Sequence, residues 1–454
     1  MQHAFSKTDA RSTLAQDYQI TRVVGASLPK VDTLEKITSS GRYVANYDRP
    51  GLLYGKVLRS DRPHARITSI DTSKAEALPG VKAVITYRDA PPVRYSPMFA
   101  LESYSERLIR DKLILENHVR YVGDEVAAVA ATSEQIASRA LDLIEVRYHE
   151  LPAVFNVEEA IKDGTTPIHE NNKDNIARRT RHGHGDVEKG LKESDFVFEH
   201  RFRTSRIHPC PLERHVCITE LDANANLVVR SSTQGIYGLR ERLAMALGMP
   251  ISKIRVVKPP YIGGGFGAKL ELWLEGICAL LTLKCKLPVK MELSREEEFL
   301  ANPRMPCVIN LKTGVNKNGL LRARYANVLF DTGAYAAHGA VIHGVFSGTF
   351  LSMYKCPDIL CESFVVYTNN PISGSIRGST GTQAIYAVEQ QMDIIARELK
   401  LDPIDFRIKN AWKVGDINLE KPGAGVIKSY AFEDCLKQGA ERFGWNHPRR
   451  FEDV

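Results

Sequence analysis

The residues best equipped for chemistry in this sequence lie in four short stretches rich in glycine, proline or hydrogen-bonding side chains. The first, Pro259 to Lys269, carries Gly263, Gly264, Gly265, Phe266 and Gly267 between a β-type run, Lys253 to Lys258, and a helix-type run, Leu270 to Leu283. Glycines so placed let the backbone take positive φ and approach a ligand without Cβ interference. They also leave N–H groups free to meet anionic or oxo groups beside a helix N-terminus. A tight strand-to-helix turn accounts for the cluster equally well. Gly263-x-Gly265-x-x-Ala268 further fits a dinucleotide fingerprint, with Glu292 as the ribose acid. Against that reading, Pro259 and Pro260 break the strand that should enter the turn, and the motif lies late in the chain.

The other three stretches are weaker singly. His208-Pro-Cys-Pro-Leu-Glu213-Arg-His215 sets an acid and two histidines beside prolines. As a metal site it is incomplete, and a structural turn is the favoured reading. In Ser231-Ser-Thr-Gln234-Gly235 an amide follows a strand end, where it could donate to a bound group. Ser373-Gly-Ser-Ile-Arg377-Gly-Ser-Thr-Gly-Thr-Gln383 presents an arginine in a turn before a long helix. Its planar fork suits phosphate or carboxylate, and a surface turn is the plain alternative.

These stretches need a scaffold to position them, and 454 residues exceed what one hydrophobic core usually organises. A formal net charge of +7 is modest for this length. The basic cluster Arg178 to His184 lacks aromatic interleaving, so a solvated loop or subunit contact is preferred to nucleic-acid binding. Eight cysteines form no C-x-x-C pair, which argues against zinc ribbons and ferredoxin-type clusters. Their scatter suggests reduced thiols in a cytoplasm. There is no basic-then-apolar leader at Met1 and no run of membrane-spanning length.

Along the chain, residues 1–30 read as a polar strap. Residues 31–150 read as an α+β module. In it, strands at Leu53 to Leu58, Val81 to Thr86, Glu125 to Ala130 and Ile144 to Tyr148 surround a helix capped by Thr132 and Ser133. A polar linker is expected over 151–195, and a second module over 196–454. Gln383 to Leu399 is the clearest amphipathic helix, and Asp402-Pro403 supplies cap and first turn for the next one.

The four stretches, in this order, resemble the large, molybdenum-binding subunit of the xanthine dehydrogenase / aldehyde oxidase family of molybdenum hydroxylases. The resemblance begins at Gly41-Arg-Tyr43 and runs through Gly55-Lys-Val-Leu-Arg-Ser60 and Pro63-His-Ala-Arg-Ile67. It includes Val122-Gly-Asp-Glu-Val-Ala127 and covers nearly all of residues 20–445. It implies an α+β fold, with a hammerhead domain over 31–150 and the first half of a molybdopterin-binding domain over 196–454. It also implies a molybdopterin cofactor, in bacteria often the cytosine dinucleotide, whose dithiolene supplies sulfur ligands to molybdenum. On matching positions, Gln234 resembles the glutamine that hydrogen-bonds the apical oxo ligand. Phe266 and Gly267 resemble the residues whose backbone abuts metal and pterin, with Gly263, Gly264 and Gly265 completing the loop. Arg377 and Gly378 resemble the start of the family's Arg-Gly-Phe-Gly turn near the metal. Fixed donors around an oxo-metal centre would stabilise the charge that builds up during hydroxide attack and hydride transfer.

Departures narrow the implication. Purine-oxidising members carry a glutamate where this chain has Leu270, and a substrate-sandwiching phenylalanine where it has Ser379. Copper-dependent carbon monoxide dehydrogenases carry a cysteine where it has Gly378. The family's catalytic base, a glutamate in a Gly-x-Gly-Glu turn, has no counterpart here, and the family assigns that role to neither Glu213 nor Glu389. Either the sequence is a piece of a longer large subunit or that subunit is split across two polypeptides; the preferred expectation is the split, resembling nicotinate dehydrogenases, with the base on a second molybdopterin-domain chain. The assembly would place water-derived oxygen on an N-heterocycle or aldehyde and pass electrons to 2Fe-2S and FAD subunits. Competing expectations are a reductase that dehydroxylates an aromatic thioester, a non-catalytic pterin-binding scaffold half, and a nicotinamide-binding enzyme using the glycine loop.

Overall fold

The computed structural model describes residues 23, 25–98, 108–417 and 425–445. Most of the expected strap, residues 1–22 and 24, lies outside the described residues. The chain divides into units of residues 1–42 and 43–454. The first contains a short helix, Thr33–Ile37, with no buried residue.

In the second unit a seven-stranded sheet runs in the order Ile254–Val257, Leu227–Ser231, Val216–Leu221, Val289–Glu292, Leu53–Arg59, Glu125–Ala131 and Val81–Thr86. Glu125–Ala131 is buried along its whole length, as its almost unbroken apolar text requires. The two modules read from the sequence do not own separate sheets. Leu53–Arg59 pairs in parallel with Val289–Glu292, Leu53 opposite Val289. Leu53, Ile85 and Ala128 accordingly share one core with Leu227, Leu281 and Met291.

A five-stranded sheet follows the order Ile176–His184, Asp358–Tyr367, Leu321–Gly333, Cys307–Val315 and Phe196–Thr204. Helices Gly339–Ser352 and Gly381–Glu398 close its core around Phe330, Phe346, Phe350, Val388 and Met392. The stretch 151–195, read as a linker, is corrected by this sheet. Val157–Ala160 is a helical turn and Ile176–His184 is an edge strand antiparallel to Asp358–Tyr367. An edge strand with no residue fully buried needs no apolar alternation, and charges along it discourage pairing with other chains.

A three-stranded sheet joins His118–Val119, Ala65–Asp71 and Glu145–Glu150. Helix Glu134–Leu141 starts as read, with the Ser133 side chain accepting from the Ile136 N–H. Asp402 likewise caps Pro403–Lys409, accepting from Ile404 and Asp405. The helix after the glycine loop is shorter than expected, Glu275–Cys285 rather than one beginning at Leu270. Among the described residues no helix is long and apolar enough to cross a membrane.

Candidate cofactor site

The glycine loop leaves the strand Ile254–Val257, at the edge of the seven-stranded sheet, and does not run straight into a helix. After Gly267 the chain makes one 3-10 turn, Ala268–Leu270, then turns extended at Glu271. Glu271 is held there by His338, whose N–H donates to its carboxylate at 3.1 Å and whose ring lies 2.6 Å from it. The helix N-terminus that a dinucleotide's phosphates require is therefore displaced from the loop. Glu292, the acid that reading needed, is paired with Arg214 at 2.6 Å.

Positive φ at Gly264 (104°), Phe266 (55°) and Gly267 (100°) folds the loop back on Gln234. Gln234 Oε1 accepts from the N–H of Gly267 (2.9 Å) and of Lys269 (3.2 Å), and the Gln234 backbone N–H donates to the Lys269 carbonyl (2.8 Å). Only the oxygen end of an amide can meet two N–H donors, so the orientation is set and the Nε2 hydrogens are left to donate. Gly265 permits this contact, because a Cβ there would sit 2.5 Å from Gln234 Oε1.

The arginine turn joins the same constellation. The Arg377 N–H donates to the Phe266 carbonyl (2.8 Å), and the Arg377 carbonyl accepts from Arg304 Nη2 (2.9 Å). The Arg377 residue itself is exposed, as are Phe266 and Gln234. Gly378 and Ser379 take positive φ, and Ser379 Oγ lies 3.0 Å from Ser375 Oγ. Leu270 is half-buried beside Gly235. Gln234, Phe266, Gly267 and Arg377, distant in sequence, are thus brought together, with Leu270 and Ser379 as flanking side chains.

The two acids left open by the sequence have other partners. Glu213 Oε2 accepts from the Gly263 N–H (2.8 Å) and from Lys269 Nζ (3.0 Å), and Glu389 meets Tyr354 and Arg407, each at 2.7 Å. Burial lowers the pKa of the Lys269 ammonium, and Glu213 opposes that shift. Lys269, Glu298, Asn302 and Arg304 were not singled out by sequence reasoning. Asn302-Pro303 carries a turn signal, and Asn302 has φ 54°, but nothing in the acidic run Glu296 to Glu298 marks its last member as the buried one.

Among the described residues no group of three or more His, Cys, Asp or Glu side chains could hold a metal ion. A metal at this loop would therefore have to arrive with ligands of its own. An oriented amide, an exposed arginine and open backbone suit such a prosthetic group, which is held by hydrogen bonds rather than by coordination.

Fold and loop define a class. Residues 38–152 match the family model described as aldehyde oxidase and xanthine dehydrogenase, a/b hammerhead domain, and residues 168–411 match the molybdopterin cofactor-binding domain. The chain belongs to the molybdopterin-binding subunits of the xanthine dehydrogenase / aldehyde oxidase family of molybdenum oxidoreductases. It is 37% identical over 404 residues to the nicotinate dehydrogenase large molybdopterin subunit of Eubacterium barkeri, covering 88% of this chain and 92% of that one. It is 33% identical over 425 residues to the xanthine dehydrogenase molybdenum-binding subunit of Escherichia coli O157:H7, covering 92% of this chain and 56% of that one. Among solved structures, quinoline 2-oxidoreductase from Pseudomonas putida 86 superposes with a TM-score of 0.85 at 28% identity, covering 93% of this chain and 54% of that one. The chain thus spans nearly all of the first relative and about half the length of the other two.

Proposed function

We propose that this chain is the cofactor-holding component of a multi-subunit hydroxylase acting on an N-heterocycle, with aldehydes as the second substrate class. The observation that carries the reading is the Gln234 amide, turned by two backbone N–H groups so that Nε2 is left to donate, on a loop that also holds Phe266, Gly267 and the Arg377 turn. When bound, the molybdenum–pterin group supplies the two-electron chemistry that places water-derived oxygen on carbon. The chain's own residues position and polarise. Gln234 Nε2 would donate toward an oxo group, the loop backbone would hold the cofactor, and the exposed Arg377 would add a positive charge. The cofactor in this reading is a molybdopterin, of which the cytosine dinucleotide is one form.

A second molybdopterin-domain chain supplies the catalytic base, and 2Fe-2S and FAD subunits take the electrons in a cytoplasmic assembly. The near end-to-end match to a subunit named for nicotinate supports both the split and the heterocyclic substrate. Leu270 and Ser379 put no carboxylate on this flank of the site, which disfavours a purine held by one.

The test is purification of the native complex with metal analysis, followed by a screen of N-heterocycles and aldehydes. Molybdenum is expected together with a second large chain. Gln234→Leu should lower turnover by about 100-fold, the loss typical of one oriented donor. A complex without molybdenum would sink the reading, and unchanged turnover in Gln234→Leu would reduce the chain to a scaffold.

A further inference from the structure

The segment His208–His215, with its two histidines and one acid, plays no part in the reading above, yet it lies against the buried side of the glycine loop and reaches both ends of it. At the first end, Glu213 and Gly263 bond in both directions. The Glu213 N–H donates to the Gly263 carbonyl (3.1 Å), and the Gly263 N–H donates to Glu213 Oε2 (2.8 Å). At the other end, the Ala268 carbonyl lies 3.1 Å from His215 Nε2 and accepts from Asn302 Nδ2, also at 3.1 Å. Lys269 Nζ ties the two ends together through Glu213.

We propose that His208–His215 is a positioning device that sets the shape of the glycine loop, with His215 as the residue it turns on and Glu298 as the group that holds His215. Both His215 ring nitrogens face oxygen acceptors. Nδ1 lies 2.9 Å from Glu298 Oε1, and Nε2 faces the Ala268 carbonyl. Nε2, facing a carbonyl, must donate, and Nδ1 shares a hydrogen with the buried Glu298 carboxyl, so both contacts are made at once. Burial pushes the Glu298 carboxyl up, but the hydrogen bond and charge of His215 outweigh it and hold the group below its usual value. Glu298 Oε1 also accepts from the His215 backbone N–H, which locks ring and main chain to one carboxylate. His208 completes the arrangement. Its Nδ1 accepts from the Cys210 N–H (3.1 Å), so its proton sits on Nε2, 3.9 Å from Glu298 Oε2.

The consequence is a loop preorganised from its buried side. Fixing the Ala268 carbonyl fixes the neighbouring peptides, whose N–H groups at Gly267 and Lys269 in turn orient the Gln234 amide. His215 therefore acts on the cofactor site through the backbone, without touching it. This inference rests on the reading of the loop as the cofactor cradle.

The test uses the full chain with its co-purifying polypeptides, in wild type, Glu298→Gln, His215→Leu and His215→Gln. Hydrogen exchange of a peptide spanning residues 262–272 reads the loop, and the paired strands Cys307–Val315 and Leu321–Gly333 serve as reference. Glu298→Gln and His215→Leu should exchange about tenfold faster in the loop with the reference unchanged, and molybdenum content should fall. His215→Gln, which keeps one donor, should lie between them and wild type. Wild-type loop exchange in both Glu298→Gln and His215→Leu would overturn the proposal. So would acceleration equal to that of the reference strands, which would mark a general structural role. If His215→Leu fails to fold, the near-isosteric Glu298→Gln decides by the same criteria. Because exchange is read without reference to metal, a wild-type complex lacking molybdenum would remove the cofactor reading while the loop measurement still judged the device.

Discussion

Gly267→Ala places a methyl group where the backbone leaves no room for one. Gly267 sits at φ 100°, ψ −25°, a conformation that costs an L-residue about 1–3 kcal/mol. Its Cβ would lie 2.4 Å from the Ser375 carbonyl oxygen, inside the 3.0 Å that real Cβ contacts respect. That oxygen is main chain and cannot swing aside alone. Relief must push the turn carrying Arg377 away from Phe266, to which it is bonded at 2.8 Å. Strain and overpacking together amount to about 2–6 kcal/mol. The assay is urea unfolding of the full chain, read as a shift of midpoint at constant slope, alongside the molybdenum content of the complex. Gly348→Ala is the control. It lies in helix Gly339–Ser352, and its Cβ would meet nothing within 4 Å, so it should stabilise by about 0.5–1 kcal/mol. A Gly267→Ala chain with wild-type midpoint and metal content would refute the geometric argument.

Two further predictions concern the buried charges around strand Glu125–Ala131. Lys112 Nζ lies 2.8 Å from Glu125 and 3.6 Å from Asp124, so Lys112→Met should cost up to about 3–5 kcal/mol by leaving Glu125 with only Arg59, at 3.6 Å, and Asp124 without its lysine, and adding Glu125→Gln should recover part of it. Urea midpoints of the single and double variants check this, and strictly additive effects would contradict it. Burial pushes the Asp111 carboxyl up to about 6, against hydrogen bonds from Ala336 N–H and Tyr367 OH. The folded state thus favours its protonated form, and that contribution is complete below its ordinary value of 3.8 and lost as pH rises through about 6. Wild type measured against Asp111→Asn should therefore lose stability between pH 4 and 6 and level off above. A difference independent of pH would count against the buried, raised carboxyl.

Much of the architecture was legible wherever burial is one-sided and local. Ala384, Val388, Met392 and Ile395 announce their helix because one face alone enters the core. Asp402-Pro403 announces the next helix because a cap is a contact between near neighbours. Strand Ile176–His184 was missed because an edge strand of arginines and histidines shows no apolar period. The early part of the run from Leu270 was misread as helix. Its apolar residues serve other contacts there, and Glu271 is drawn out of helical conformation by His338, far along the chain.

The same division holds at the site. Residue type drew attention to the glycine loop, Gln234 and Arg377, because flexible backbone and donors are chemical properties of the residues themselves, and the family resemblance of the stretches in order gave them their roles. Which end of the Gln234 amide faces outward, and that Phe266 takes the Arg377 N–H, were decided by the tertiary structure. So was the choice of Glu298 from an acidic run as the buried partner of His215. Hydrogen bonds between residues distant in sequence leave no periodic trace, since each needs only one donor and one acceptor that the folded chain happens to bring within reach.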